Sequence, residues 1–184
     1  MPHEPAPLIA AVHYPAGFDI EAVIAGAVSR LRQAGIAIAG VLQYRETDPA
    51  TCCARVIAVD IRTGAEVSIT QERGKAASGC RLDPSGLADM AQRVTEAIEA
   101  GADLAVINKF GKAEIDGAGL MSCFAEAISA GLPVLTTVRE PHIEAWEEFH
   151  GGLASRLPPS EDDIVAWCLA AVSARQGAPH HATA

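Results

Sequence analysis

The sequence contains few aromatic residues and no long apolar run. Only 4% of its 184 residues are aromatic although 49% are apolar, which predicts a core built of Ala, Val, Ile and Leu. No apolar run approaches the roughly 20 residues of a membrane span. The start, MPHEPAPLIAAVHY, lacks the charged-then-apolar layout of a signal peptide. We therefore expect a cytoplasmic protein with no membrane partner.

Basic residues are also scarce. The chain has 14 Lys and Arg against 23 Asp and Glu, which gives a formal net charge of −9. Because a phosphate backbone requires a broadly basic surface, this balance argues against a nucleic-acid partner. Any site for an anion must be a local concentration of positive charge.

The cysteines form no pattern of pairs. There are five of them, at positions 52, 53, 80, 123 and 168, with no C-x-x-C motif. An odd number at this spacing favours free thiols in a reducing compartment over disulfides. Adjacent Cys52 and Cys53 could bind a soft metal, and Cys80, just before a helix start, could have a lowered pKa. We favour ordinary structural thiols in both cases, and expect no metal site.

Strand and helix patterns alternate along the chain. LIAAVH (8–13) predicts a buried strand, and residues 19–35 predict a helix with Asp19 as N-cap and Gly35 at its end. The strand IAIAGVLQYR follows at 36–45. Residues 55–61 and 66–70 predict a β-hairpin in which Gly64 supplies a positive φ.

The second half repeats strand and helix in turn. Asp83 caps a helix that begins at Pro84 and ends near Ala100. Further strands are predicted at 102–108 and 132–138, and further helices at 119–131, 142–149 and 164–176. This order is typical of a parallel sheet with helices on both faces. We predict one three-layer α/β domain, residues 1–175, with a mainly parallel sheet, an antiparallel hairpin insertion and a disordered tail at 176–184.

Several segments, in order, resemble a known family: IAGVLQYRE, ARVIAVDIRTGAEVSI, DLAVINKFGKAEIDGAGL and PVLTTVRE. They are similar to small P-loop nucleoside-triphosphatases of the thermophile THEP type. A closer resemblance, which includes GCRLD and NKFGKAE, is to a bacterial family of unknown function related to that fold. The resemblance covers roughly residues 8–140. It implies a P-loop NTPase-like topology, with Gly111, Lys112 and Glu114 at the family's Gly, Lys and Glu positions, but no established activity.

The phosphate-binding motif of that fold is missing. A Walker A loop requires G-x-x-x-x-G-K followed by Ser or Thr, whose backbone N–H groups, lysine and hydroxyl hold the phosphates and magnesium. The corresponding stretch, HYPAGFDIEAV, has one glycine, no lysine and no Ser or Thr. It places Asp19 where the helix N-terminus would face a phosphate. We therefore expect no phosphate loop.

The metal-binding motif differs as well. Asn108 and Lys109 replace the acidic pair that would hold magnesium and activate water. NKFG is not the guanine-reading N-K-x-D motif, because Gly111 stands in place of the acidic residue. Conventional hydrolysis of ATP or GTP is therefore not expected.

Polar residues follow several of the predicted parallel strands. Ligands of open parallel sheets bind outside the carboxyl ends of the strands, so His13, Asn108, Lys109 and Arg139 could surround one crevice. The polar loop at 71–83, with Arg73, Lys75 and Arg81, could fold over it. Lys112 and Glu114 complete the candidate set of ligand-binding residues. The alternative is structural: the two lysines extend from the sheet rim or pair with Glu114 and Asp116.

Three classes of function remain open. The first is a non-hydrolysing protein that binds a small anion or phosphorylated metabolite, with molybdate and tungstate among the candidates. The second is a weak nucleoside-triphosphatase or nucleotide-binding protein in which Glu114 would act as acid or base. The third is an assembly protein without a ligand site. A homo-oligomer is expected, and the sequence identifies no cofactor.

Overall fold

A strand, a short turn and a helix begin the fold. The computed structural model describes residues 8–47, 54–71 and 81–177. β1 (Ile9–Tyr14) leads through residues 15–19 into α1 (Ile20–Gln33). The Asp19 carboxylate accepts a hydrogen bond of 3.2 Å from the Ala22 N–H, and Gly35 ends the helix with a φ of 83°. The predicted cap and helix end are both confirmed.

A seven-stranded sheet forms the centre of the molecule. Its order is β4-β3-β2-β7-β8-β1-β9. The five strands from β2 to β9 in this order are parallel, and β3 and β4 add antiparallel to β2 at one edge. The strand bounds are β2 (Ile38–Thr47), β3 (Ala54–Asp60), β4 (Glu66–Ser68), β7 (Leu104–Phe110), β8 (Val134–Arg139) and β9 (Ala154–Leu157). The mainly parallel α/β fold of P-loop NTPase-like type is thus confirmed.

Helices cover both faces of this sheet. α1 and α6 (Glu161–Gly177) bury one apolar cluster, and α2 (Pro84–Glu99), α4 (Met121–Ser129) and α5 (Ile143–His150) bury the other. A short helix, α3 (Lys112–Ile115), and a 3-10 turn at Glu140–His142 complete the helical elements of the described residues. In the part of the chain that is described, no helix combines the length and apolar character needed to cross a bilayer.

The hairpin at 55–70 is confirmed, with Gly64 at a φ of 74°. Its second strand is shorter than predicted, because it stops at Ser68. Thr70–Gln71 forms a separate strand, β5, which pairs with β6 (Arg81–Leu82). The polar segment between them, residues 72–80, lies outside the described residues.

Some boundaries differ from the prediction. β7 continues two residues beyond Asn108, because Phe110 pairs with Val138 after a register shift and packs against Trp146. The Asn108–Lys109 peptide bond within it is cis. β9 and α3 were not predicted, and α6 (Glu161–Gly177) is longer at both ends than the helix predicted at 164–176. Lys109 therefore lies in the strand and not in the loop that follows.

Candidate functional site

A cleft opens at the carboxyl ends of four neighbouring parallel strands. Its volume is about 460 Å³, and it lies between the end of the sheet and the first turn of α1. The carboxyl edge is where open α/β sheets bind their ligands. The lining residues share this one edge: Tyr14, Gly17, Phe18, Asp19, Glu21, Tyr44, Arg45, Lys109 and Arg139.

Three cations converge on this cleft from three adjacent strands. Arg45 comes from β2, Lys109 from β7 and Arg139 from β8, so that the lysine occupies the middle strand. The Lys109 side chain is 32% exposed. Burial lowers its pKa, and the positive charges of Arg45 and Arg139 lower it further, against an opposing effect of Glu21. The cleft therefore contains a lysine whose charge is costly while no other anion is bound.

Two carboxylates partly balance these cations. Glu21 Oε1 lies 3.9 Å from Lys109 Nζ, which is the limit of an ion pair. Asp19 uses Oδ1 to accept the Ala22 N–H at the start of α1. Three cations and two carboxylates leave a formal surplus of one positive charge in a chain whose net charge is −9.

A buried hydrogen bond lies beneath the floor of the cleft. Thr137 Oγ1 donates to Asn108 Oδ1 at 2.6 Å. Asn108 is 1% exposed, and its Nδ2 has no hydrogen-bond partner among the described residues. Burial raises the pKa of Tyr14, with a further contribution from Glu21. Asn108 thus lies beneath the cleft and does not line it.

The structure places Lys109 and Arg139 in the lining of one cleft, but it separates His13 from them. His13 is 6% exposed and lies on the opposite face of the sheet from its neighbour Tyr14, near Glu147 and His150 of α5. Burial and Arg156 lower its pKa. Strand alternation explains the separation, because successive side chains point to opposite faces.

Lys112 and Glu114 also lie apart from the cleft lining. Lys112 is 80% exposed and forms an ion pair of 2.9 Å with Asp116. Glu114 is buried, and its carboxylate accepts the Gly111 and Leu120 N–H groups, each at 3.0 Å. Burial raises the pKa of Glu114, and these backbone hydrogen bonds oppose the increase. Its contacts are those of a structural residue that joins α3 to the start of α4.

Arg81 lies in β6, where its backbone pairs with Gln71. The expected cover of the cleft by Arg73, Lys75 and their neighbours falls outside the described residues. That cover remains a prediction.

Seven lining residues were not among the predicted site residues: Tyr14, Gly17, Phe18, Asp19, Glu21, Tyr44 and Arg45. The sequence carried a signal for one of them. Arg45 ends the predicted strand IAIAGVLQYR, so the rule that selected Lys109 and Arg139 also applies to it. What the sequence did not reveal is that β2 lies beside β7.

The described cysteines are ordinary buried thiols. Cys123 and Cys168 are free and buried, and burial raises the pKa of each to about 12. Cys52, Cys53 and Cys80 lie outside the described residues. Within the described ranges, no three His, Cys, Asp or Glu residues are grouped so that they could hold a metal ion.

The fold and the cleft define an α/β protein of P-loop NTPase-like type with a cationic cleft at its carboxyl edge. More particularly, the chain belongs to the family described as "Protein of unknown function (DUF2478)", whose model matches residues 9–167. It is also 42% identical over 159 residues to "Molybdenum import ATP-binding protein ModC 2" of Bradyrhizobium diazoefficiens. That match covers 86% of this chain but only 18% of the relative. No solved structure gives a significant match.

Proposed function

We propose that this chain binds a small oxyanion or phosphorylated metabolite in the cleft and does not hydrolyse nucleoside triphosphates. The observation that carries the proposal is the convergence of Arg45, Lys109 and Arg139 from three adjacent strands. A protein of net charge −9 gathers these cations at the edge where this type of fold binds ligands.

The electrostatics of Lys109 support an anionic ligand. Burial and two guanidinium groups disfavour its charge, and Glu21, at 3.9 Å, and Glu114 offset this only in part. An incoming oxyanion would contact the cations directly and relieve their mutual repulsion. Charge-assisted hydrogen bonds of this kind are about twice as strong as neutral ones.

The ModC 2 relative supports molybdate and tungstate as candidates. Its name assigns molybdenum import and ATP binding to a protein of which this chain matches 18%. The matched part of our chain contains no G-x-x-x-x-G-K-S/T motif, so ATP binding by that relative does not transfer directly. An oxyanion function for the shared part agrees with the cationic cleft.

Two features argue against hydrolysis. The turn at 15–19 joins β1 to α1 at the position of a Walker A loop, and Asp19 there accepts a helix N–H that a phosphate would need. Glu114, the remaining candidate base, has both carboxylate oxygens engaged by backbone N–H groups. We therefore rank a weak nucleoside-triphosphatase or a nucleotide-binding protein second.

Thermal unfolding with phosphate, sulfate, molybdate and tungstate tests the proposal, with calorimetry to confirm each hit. A ligand at one hundred times its Kd stabilises by about 2.7 kcal/mol, which raises the Tm of a chain of this size by about 5–11 °C. Lys109→Ala should abolish the response, and Glu21→Gln should strengthen it by removing a competing carboxylate. Lys112→Ala is the matched control, because it removes the same charge from an exposed position outside the cleft.

The contrary outcomes are distinct. If no anion stabilises the wild type, or if Lys109→Ala responds like Lys112→Ala, the cations are rim residues and the proposal fails. Magnesium-dependent phosphate release from ATP or GTP that is lost in Glu114→Gln would favour the enzyme instead. Native mass spectrometry of the same sample would reveal a retained ligand and would test the expected homo-oligomer.

A further inference from the structure

Three of the eight aromatic residues of the chain line the cleft. The chain has only four Phe, two Trp and two Tyr. Both tyrosines and one phenylalanine, Phe18, line the cationic cleft. Four of the other aromatic residues pack against one another in a separate cluster: Phe110, Phe124, Trp146 and Phe149. In a chain so poor in aromatics, three rings beside three cations call for a chemical explanation.

Two of these rings present surface to solvent. Phe18 lies in the turn before α1 and is 38% exposed. Tyr44 is 36% exposed and lies at the side of the cleft, near Glu66 of β4. Tyr14, in contrast, is 6% exposed and forms part of the floor. Phe18 and Tyr44 therefore offer apolar faces next to Arg45 and Lys109.

The cleft is large for a bare oxyanion. Its volume of about 460 Å³ lies within the range of roughly 300–1,000 Å³ that is usual for organic ligands. Its formal charge is limited, since Asp19 and Glu21 leave a surplus of one positive charge. So small a surplus favours a ligand with one phosphate group over a nucleoside triphosphate, which carries four negative charges.

We infer that the ligand of the cleft is a phosphate monoester that carries a flat aromatic or heteroaromatic ring. Its phosphate contacts Lys109 with Arg45 and Arg139, and its ring stacks against Phe18 and Tyr44. The inference rests on the proposed function, which places an anion at these cations. It goes further by assigning the apolar part of the same cleft to a ring. Base–aromatic stacking of this kind tolerates many ring types, because each ring has a π-face.

A simpler role for Phe18 is structural. It precedes the N-cap Asp19, so it could pack against Val23 as a hydrophobic staple. Phe18→Leu separates the two roles, because leucine can still supply the apolar volume of a staple but removes the aromatic face. The staple requires only apolar volume, whereas the stacking role requires the ring.

The experiment compares matched ligands on the 184-residue chain by calorimetry. Riboflavin 5′-phosphate is paired with ribitol 5-phosphate, and AMP with ribose 5-phosphate, so that each pair differs by the ring. Inorganic phosphate, molybdate and riboflavin are measured alongside. We expect at least one ring-bearing phosphate to bind ten times or more tighter than its ring-free partner, and riboflavin without phosphate to bind more weakly than its phosphate.

The variants locate the ring. Phe18→Leu and Tyr44→Leu should remove the advantage of the ring, so that each ring-bearing phosphate binds no tighter than its ring-free partner, whereas Tyr44→Phe should retain that advantage. Phe149→Leu is the control, since Phe149 is 41% exposed and lies outside the cleft. Equal affinity within both pairs, or a ring advantage that survives Phe18→Leu and Tyr44→Leu together, would overturn the inference and leave the anion site standing. If phosphate, molybdate and all the esters fail to bind, both this inference and the proposed function are wrong.

Discussion

Gly40 in β2 provides a stringent test of the strand pairing on which the cleft depends. A Cβ atom at this position would lie 1.9 Å from the carbonyl oxygen of Val106 in β7, and the φ of 147° is one that L-residues rarely adopt. Neither strand can move aside easily, because both lie in the middle of the sheet. We expect Gly40→Ala to cost at least about 4 kcal/mol, the range of the largest single-residue effects. The Tm should then fall by about 8–16 °C.

Urea denaturation followed by circular dichroism measures this cost, and Gly35→Ala serves as the control. Gly35 has a φ of 83°, but no atom lies within 4 Å of a Cβ added there. Gly35→Ala should therefore lose stability through backbone strain alone, by about 1–2 kcal/mol. Because β2 carries Arg45 and β7 carries Lys109, any folded Gly40→Ala protein should also lose anion binding. A Gly40→Ala protein within about 1 kcal/mol of Gly35→Ala would refute the close approach of these strands.

Titration of Lys109 and the thiols give two further predictions. Burial lowers the pKa of Lys109 in the folded protein below its ordinary value of 10.5. At pH values between the folded-state pKa and 10.5, the unfolded chain therefore binds more protons than the folded chain. As the pH rises through that window, the free energy of unfolding should increase in the wild type relative to Lys109→Met, and anion affinity should decrease. Identical pH profiles would contradict this. Cys123 and Cys168 should resist thiol reagents until the protein unfolds, and all five thiols should then react without reductant; a count of three or one would indicate a disulfide.

The sequence predicted most of the fold because the local signals are strong. Asp19 and Asp83 mark helix starts with side-chain caps that the structure contains, at 3.2 and 3.1 Å from their N–H donors. Gly35 and Gly64 mark turns at positive φ. These are contacts between residues close in the chain, so composition and spacing are sufficient to predict them.

The boundaries that differed depend on distant contacts. β7 was expected to end at Asn108 because polar residues follow, yet Phe110 continues it by packing against Trp146, which lies far along the chain. β9 is only four residues long, and its pairing with β1 defines it. Neither contact leaves a periodic pattern in the segment concerned.

Distant contacts also explain why the sequence identifies only some of the residues that line the candidate cleft. That Lys109 and Arg139 lie at strand ends follows from the sequence, but their closeness to Arg45 depends on the order β2-β7-β8, which joins segments separated by the whole hairpin and α2. His13 was assigned to the cleft by strand end alone. Its neighbour Tyr14 lines the cleft instead. Whether a residue at a strand end lines the cleft depends on the face of the sheet to which its side chain points. Adjacent residues of a strand point to opposite faces.

The position of the charges distinguishes this cleft from a phosphate loop. In a P-loop, backbone N–H groups at a helix N-terminus hold the anion, whereas here the Asp19 carboxylate accepts from that helix end. The positive charge lies instead on side chains of the facing strands, and Glu21 of the same helix turns toward Lys109. The first turn of α1 thus contributes negative charge to a cleft whose cations come from the sheet. An anion that binds Lys109 must compete with Glu21, so affinity depends on a carboxylate that a P-loop does not have.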